Sequence, residues 1–432
     1  MLKRIVGGKN STIIISFLAS FLLAMLAINV LPASVENDYL HLVYILNFAF
    51  VFIIILISIM VYKLSCMYFT GAPSHREMPF TSQLNRISII NKNVKFVSLT
   101  VLVGFIFIFV DRVFIRGIDY SQGLRMARYE WLDTVGGGVF GVLGNVFISL
   151  AYIGILLFVL HFQQIKLKKL LLFSILIGVI GHAALNGGRS NLLLALIMFV
   201  IGLLLKKDDG LKIKIVSRRS LFLLIILIFG GYYVASIIAS SASMGGVSLG
   251  ELVVAGIESL YGMPDYTFFN VERGYLTNIA IYVFSYLYHG QWTTQIAFEL
   301  ANREGLYSIT SMLTIILNSL GVLNLNFENK AFADTGAFIS LPGAFYYDFG
   351  WTGVFFISIF LGMLLGLVFV LIKSTGRIGV LKMAFIVFVL YLLLLSPILA
   401  AYGLSYFYFI IFSFFLFGLV NFFVFKHKYR FL

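Results

Sequence analysis

Arg116, Arg125 and Arg128 stand in RGIDYSQGLRMARYEW, residues 116–131, with the last two arginines spaced like neighbours on one helical turn. A guanidinium is a planar fork of donors that grips phosphate or carboxylate at two points, so three of them within thirteen residues are suited to holding an anion. Tyr120, Tyr129 and Trp131 are interleaved with them. Such rings stack on sugars or settle at a membrane interface. Asp111, Asp119, Glu130 and Asp133 are close enough in sequence to neutralise the arginines in a solvated loop. A loop of surface ion pairs and an anion-plus-carbohydrate site are both open at this point.

Three other stretches carry candidate chemistry. NGGRSN, residues 186–191, is a glycine turn between apolar runs whose one charge is Arg189. Either Arg189 snorkels to lipid phosphate, or the glycines let backbone amides and Arg189 approach a bound phosphate together. The spacing is not that of a nucleotide-binding phosphate loop. Residues 240–278 mix Asp265, Glu272 and Arg273 with Tyr, Phe and Asn, and YLYHGQW, residues 286–292, holds His289 among aromatics. Finally, FADTGAFISLPGAFYYDFGWTG, residues 332–353, sets Asp334 and Asp348 about Tyr346 and Tyr347, with Gly350 and Gly353 turning the chain into an apolar run. A carboxylate at the mouth of such a run costs free energy unless hydrated or paired, which makes Asp348 a site candidate. Asp348, Asp334, Glu272 and His289 are the groups able to accept a proton.

The elements that must position these residues are membrane helices. Of 432 residues 61% are hydrophobic and only 11% charged, more apolar surface than one water-soluble core could hide. Runs long enough to cross about 30 Å of hydrocarbon fall near 12–31, 42–63, 96–111, 137–160, 170–186, 190–205, 220–238, 351–372, 378–398 and 405–425. The fold expected is all-α and polytopic, with about ten spans, or twelve if 278–289 and 306–325 also cross. The first run follows Lys3, Arg4 and Lys9 and is long enough to be a retained helix rather than a cleaved signal. One cysteine, Cys66, excludes an intrachain disulfide and any multi-cysteine metal site.

Basic residues gather in every second connection: Lys3/Arg4/Lys9; Lys63 to Lys95; Lys166/Lys168/Lys169; Lys206 to Arg219; Lys373/Arg377/Lys382; and Lys426/Lys428/Arg430. By the positive-inside rule these connections and both termini are cytoplasmic. The net charge of +13 is therefore a sum over two compartments, and carries no nucleic-acid signal. What remains outside is Arg112, Arg116, Arg125, Arg128, Arg189, Arg273, Arg303 and Lys330, nearly all arginine, whereas the inner set is mostly lysine. The chain divides into an N-terminal bundle, 1–238, with an outer loop at 112–136; a large outer region, 239–350; and C-terminal helices, 351–432. Glycines 362 and 366 have the small-xxx-small spacing of packed membrane helices.

TGAFISLPGAFYYDFGWTGVFFISIFLG resembles the aromatic-Asp-Phe-Gly segment before a late helix of the oligosaccharide repeat-unit polymerases, the Wzy-type O-antigen polymerases of bacterial surface polysaccharide synthesis. GGRSNLLLALI is similar to that family's Gly-Arg-Ser opening of a middle helix. The resemblance implies a glycosyltransferase of the bacterial cytoplasmic membrane that uses no cofactor or metal. It would move a growing glycan from its polyprenyl diphosphate to a sugar hydroxyl on a second lipid-linked repeat unit. It further implies that Arg116, Arg125, Arg128, Arg189 and Arg273 hold the diphosphate, and that Tyr120, Tyr129, Trp131, Tyr346 and Tyr347 contact sugar. One of Asp348, Asp334, Glu272 and His289 would take the proton. Partners on this reading are lipid-linked oligosaccharides, membrane lipids, a chain-length regulator and a flippase. An O-antigen ligase shares the donor and the basic outer loops. A flippase or other transporter instead predicts ionisable residues inside the spans, where the sequence shows few.

Overall fold

The computed structural model describes residues 7–30, 39–68, 80–121, 127, 130, 138–186, 190–206, 277, 289–295, 297–298, 339–373, 379–401 and 405–423. Among these residues the chain is helical: α1 (Gly8–Val30), α2 (Leu40–Tyr68), α3 (Phe80–Phe109), α4 (Val139–Ile148), α5 (Leu150–His161), α6 (Lys168–Leu176), α7 (His182–Asn186), α8 (Ser190–Leu205), α9 (Leu341–Lys373), α10 (Val380–Leu395) and α11 (Ser405–Phe423). One wide π-turn, Val110–Ile115, extends α3, and a second, Ile177–Gly181, joins α6 to α7. Seven helices among the described residues are long and apolar enough to cross a membrane. The helices at 191–205 and 380–395 are apolar but shorter. The protein is a helical, multi-pass membrane protein. The apolar run at 220–238, the stretch 306–325 and nearly all of 278–289 lie outside the described residues.

Two faces of α2 show why these sequences are helices in lipid. Leu46, Phe50 and Ile54 recur every four residues and are fully buried, while Phe48, Phe52, Leu56 and Met60 recur at the same spacing and are more than half exposed. An apolar outer face is stable only against hydrocarbon. By contrast α5 is buried on nearly all sides and runs through the middle, against α3, α6, α8 and α10.

The most extensive helix pair is α2 with α9. The two run parallel: Gly362 lies over Ile54 and Ile57, Gly366 over Ser58 and Val61, Phe369 edge-on to Tyr62, and Lys373 beside Cys66. A Cβ on Gly366 would stand 2.6 Å from the Val61 Cβ, so only glycine permits this approach.

Helix α9 begins ten residues before the span expected at 351–372. Pro342 suits a first helical turn, where no amide partner is lost. The helix then bends at Gly350, whose φ of 62° is a conformation that residues with a Cβ avoid. Of the two glycines expected to turn the chain, Gly350 makes the bend; Gly353 is ordinary helix pressed on the Phe345 carbonyl.

The ends of the bundle differ chemically. Lys206 donates to the Val159 carbonyl at 2.9 Å, and Lys373 to Cys66 Sγ at 3.3 Å. At the opposite end, Tyr391 of α10 meets Tyr406 of α11, and the Tyr152 hydroxyl reaches the Asn191 carbonyl where α8 starts.

Gly366→Val forces α9 away from α2 and is expected to lower unfolding free energy by about 1–3 kcal/mol. Gly418→Ala is its control: the added Cβ meets nothing nearer than Leu381 at 3.7 Å, and no loss is expected. Unfolding of both variants in detergent checks the pair.

Candidate functional site

An α-helical ladder sets residues 111 and 112 on different faces; the π-turn Val110–Ile115 relaxes that geometry at the end of α3. The Arg116 amide reaches back five residues to the Asp111 carbonyl, at 3.0 Å, and the Ile118 amide to Arg112. The widened turn gathers three charges. Arg116 Nε lies 3.1 Å and Arg112 Nη1 3.8 Å from the same oxygen, Asp111 Oδ2. The Asp111 and Arg112 side chains are buried and that of Arg116 nearly so. Gly141 of α4 closes over the carboxylate, where a Cβ would stand 2.9 Å from Oδ2.

Helix α7 forms the far wall. Asn186 Oδ1 accepts from Arg112 Nη2 at 3.3 Å, and the Leu185 carbonyl accepts the Tyr120 hydroxyl at 2.8 Å. Burial raises the pKa of that hydroxyl above its ordinary value. Tyr120 thus spans from the turn after α3 to α7. Beside it Asp119 is exposed; the Ser121 amide and hydroxyl donate to its carboxylate at 2.8 and 2.9 Å, which holds it below the usual carboxylate range. The Asp119 amide donates to Glu130 at 3.1 Å.

One turn before Asn186, His182 is buried between α4 and α8. Its Nε2 is 2.9 Å from Asn145 Oδ1 and its Nδ1 3.0 Å from Asn191 Nδ2. The cluster therefore combines two arginines, one aspartate, a tyrosine, a histidine and three asparagines, drawn from α3, α4, α7 and α8 and their connections. Among the described residues the cluster sets two guanidiniums beside one carboxylate. The C-terminal dipole of α3 favours cations at this place, and paired guanidiniums are the groups suited to an anion.

A second polar locus lies at the bent start of α9. The segment 289–295 is buried, and its Gly290 carbonyl accepts from the Ser340 amide at 3.1 Å. Gln291 accepts from Asn47 at 2.7 Å and donates to the Pro397 carbonyl, while Thr294 pairs with Ser340 at 2.6 Å. His289 heads this segment and Asp348 follows on α9; both are buried. A ladder of rings runs Tyr39, Phe298, Tyr346, Trp351, with centroids 6.5, 4.2 and 5.6 Å apart. Trp351 is exposed and Tyr347 buried.

Of the residues expected to bind diphosphate, Arg116 is in the cluster; Arg125, Arg128, Arg189 and Arg273 lie outside the described residues. Of the sugar contacts, Tyr120 borders the cluster and Tyr346 and Tyr347 belong to the second locus, while Tyr129 and Trp131 lie outside the described residues. Among the candidate bases, Asp348 and His289 share the second locus; Asp334 and Glu272 lie outside the described residues. The sequence reading passed over Asp111 and Arg112 as a site pair, and His182 with its asparagines. The signal for His182 was present, since an ionisable residue inside the apolar run LIGVIGHAALN is a functional candidate by default. Among the described residues, no group of three His, Cys, Asp or Glu could hold a metal ion.

Asp111→Asn leaves two guanidiniums facing each other in a buried site. It is expected to cost about 3–5 kcal/mol of stability, the range for breaking a buried ion pair on one side. The check is the unfolding transition of the purified variant. No family model matches this chain, and no curated protein or solved structure is significantly similar to it.

Proposed function

We propose that this protein polymerises polyprenyl-diphosphate-linked oligosaccharide repeat units into a surface polysaccharide, acting at the outer face of the bacterial cytoplasmic membrane. One observation carries the reading: at the end of an apolar helix Arg112 and Arg116 stand side by side on Asp111, with Arg112 also oriented by Asn186, a pair of fixed guanidiniums of the kind that grips a diphosphate. The grouping of lysines at the other ends of the helices fits a cytoplasmic location for that side, with about ten spans in all and both termini inside.

The chemistry asked of such a site is charge stabilisation. The bond between the sugar anomeric carbon and the diphosphate oxygen breaks, and the electron pair leaves with the polyprenyl diphosphate. A hydroxyl oxygen of the second lipid-linked unit bonds to the anomeric carbon, and its proton passes to a carboxylate or imidazole. Arginines fixed beforehand on Asp111 and Asn186 favour the leaving diphosphate without having to reorganise as charge develops. The base comes from Asp348, Asp334, Glu272 or His289, of which Asp348 has the best support: it sits midway between Tyr346 and the Gly350 elbow, two residues from each. The aromatic ladder at Tyr346 and Trp351 suits a sugar face, as do Tyr120, Tyr129 and Trp131. Arg125, Arg128, Arg189 and Arg273 complete the anion site on this reading. A chain-length regulator and a flippase are the natural partners.

The test is a gel of lipid-linked glycans and lipopolysaccharide from cells with and without the gene. Loss of the ladder down to a core capped by one repeat unit is the expected result. Loss of the single-unit band as well moves the assignment to a ligase or a flippase, and an unchanged ladder overturns the proposal. In complemented cells, Arg112→Ala and Arg116→Ala are each expected to reduce polymer by about a hundredfold, the scale of removing one donor from a developing anion. The membrane level of each variant is measured by immunoblot alongside; normal ladders from both variants would remove the arginine pair from the mechanism.

A further inference from the structure

The last turn of one helix reaches the cluster, and one imidazole ties that turn to its neighbours. Residues Lys168–Asn186 run as one continuous helix, of which α7 is the last five residues. The π-turn Ile177–Gly181 interrupts the regular ladder of that helix just before α7. Yet α7 carries both struts of the charged site: Asn186 accepts from Arg112, and the Leu185 carbonyl accepts from Tyr120.

His182, at the first position of α7, ties that turn sideways to α4 and α8. Asn145 donates its amide nitrogen to the Gly141 carbonyl at 2.7 Å, so its oxygen faces His182 and Nε2 carries the ring hydrogen. Nδ1 is then the acceptor for Asn191 Nδ2. The ring is neutral, donating to α4 and accepting from α8. Oδ1 of Asn191 is buried and meets no donor among the described residues, so the imidazole alone orients that amide. The Asn191 backbone is held in turn, its carbonyl receiving the Tyr152 hydroxyl at 3.4 Å. His182 is 2% exposed, too deep to touch substrate, and one helical turn from Asn186.

We infer that His182 is a positioning residue for the anion site: bridged to Asn145 and Asn191, it fixes α7, so that Asn186 fixes the fork of Arg112. The inference rests on the reading of the arginine cluster as a diphosphate site, and the experiment separates the two. Calorimetry measures inorganic pyrophosphate binding to the full-length protein in nanodiscs, for wild type, His182→Ala, His182→Gln, Asn186→Ala and the His182→Ala/Asn186→Ala double variant. A glutamine amide has one donor and one acceptor and can replace both bonds of the ring.

His182→Ala and Asn186→Ala are each expected to weaken pyrophosphate binding by about tenfold, the scale of one hydrogen bond to a charged group. His182→Gln should stay within about threefold of wild type, and the double variant should bind no more weakly than Asn186→Ala, because the two residues act in series. A ring that only packs would lower the thermal midpoint and leave the affinity of the folded protein unchanged. Wild-type affinity in His182→Ala, or losses that simply add in the double variant, overturns the positioning role and leaves the diphosphate reading intact. No pyrophosphate binding by wild type overturns both. If His182→Ala does not fold, Asn191→Ala, which removes one of the two bonds and keeps the ring, must show a several-fold loss for the proposal to stand.

Discussion

A carboxylate and two guanidiniums buried where an apolar helix ends must hold one another, because each one alone would be a bare charge against protein interior or hydrocarbon. The local architecture follows from that requirement. A regular α3 would set Arg112 and Arg116, four residues apart, on one face and Asp111 away from Arg116; the wide turn at Val110–Ile115 brings Asp111 and Arg116, five apart, together, with both arginines near one carboxylate oxygen. The neighbouring helix must then come close without a side chain, which Gly141 allows. The second π-turn, Ile177–Gly181, turns α7 so that its last residue meets Arg112. Each departure from regular helix at this end of the molecule accompanies a polar bond that the regular helix could not make.

The second locus obeys the same rule with neutral groups. Asn47 lies in the middle of an apolar surface on α2, and its amide is placed by its own helix and by Gln291, which in turn reaches the Pro397 carbonyl. That carbonyl belongs to the turn ending α10, where regular helical bonding stops and backbone acceptors need donors from elsewhere. The segment 289–295 supplies them, together with α9, whose Leu341 amide bonds the Ser396 carbonyl at 2.8 Å. Four separate parts of the chain, α2, the segment 289–295, α9 and the turn after α10, are thereby tied at one point, and the Gly350 bend follows further along α9. Asp348 sits between the tied turn and the bend, so its position is set by the arm Leu341–Phe349 rather than by the long straight part of α9.

Seven of the ten expected spans are borne out among the described residues, and these were legible because hydrocarbon asks for one property, length of apolar run, and composition reports it directly. The close pairing of α9 with α2 was half legible: Gly362 and Gly366 announced a packed face, but not which helix packs there. The candidate site was less legible, for physical reasons that differ from residue to residue. Arg116 stood out by residue type. Asp111 and Arg112 looked like the solvated edge of a span, because sequence periodicity assumes 3.6 residues per turn and the π-turn breaks that assumption where it matters. His182 carried a signal in its residue type, but nothing in the sequence joined it to Asn145 and Asn191. Their meaning comes from contacts between residues 37 and 9 positions apart, which no local pattern encodes.

The division of arginine from lysine across the molecule also has a structural cause. Lys206 uses its single point charge on the Val159 carbonyl, in the last turn of α5, where a cation meets the negative end of a helix. One donor directed at one acceptor is enough for that task, and the flexible lysine stem tolerates a changing water boundary. Arg112 does something lysine cannot do from one position: it faces Asp111 with one nitrogen and Asn186 with another, joining α3 to α7 while keeping its charge within a buried site. A lysine there would have to abandon one of the two partners or lose its proton to burial. Arginine is therefore favoured at this end by the geometry of the helices it must connect, before any ligand is considered. An anionic headgroup arriving at the mouth would meet guanidiniums whose orientations the fold has already set.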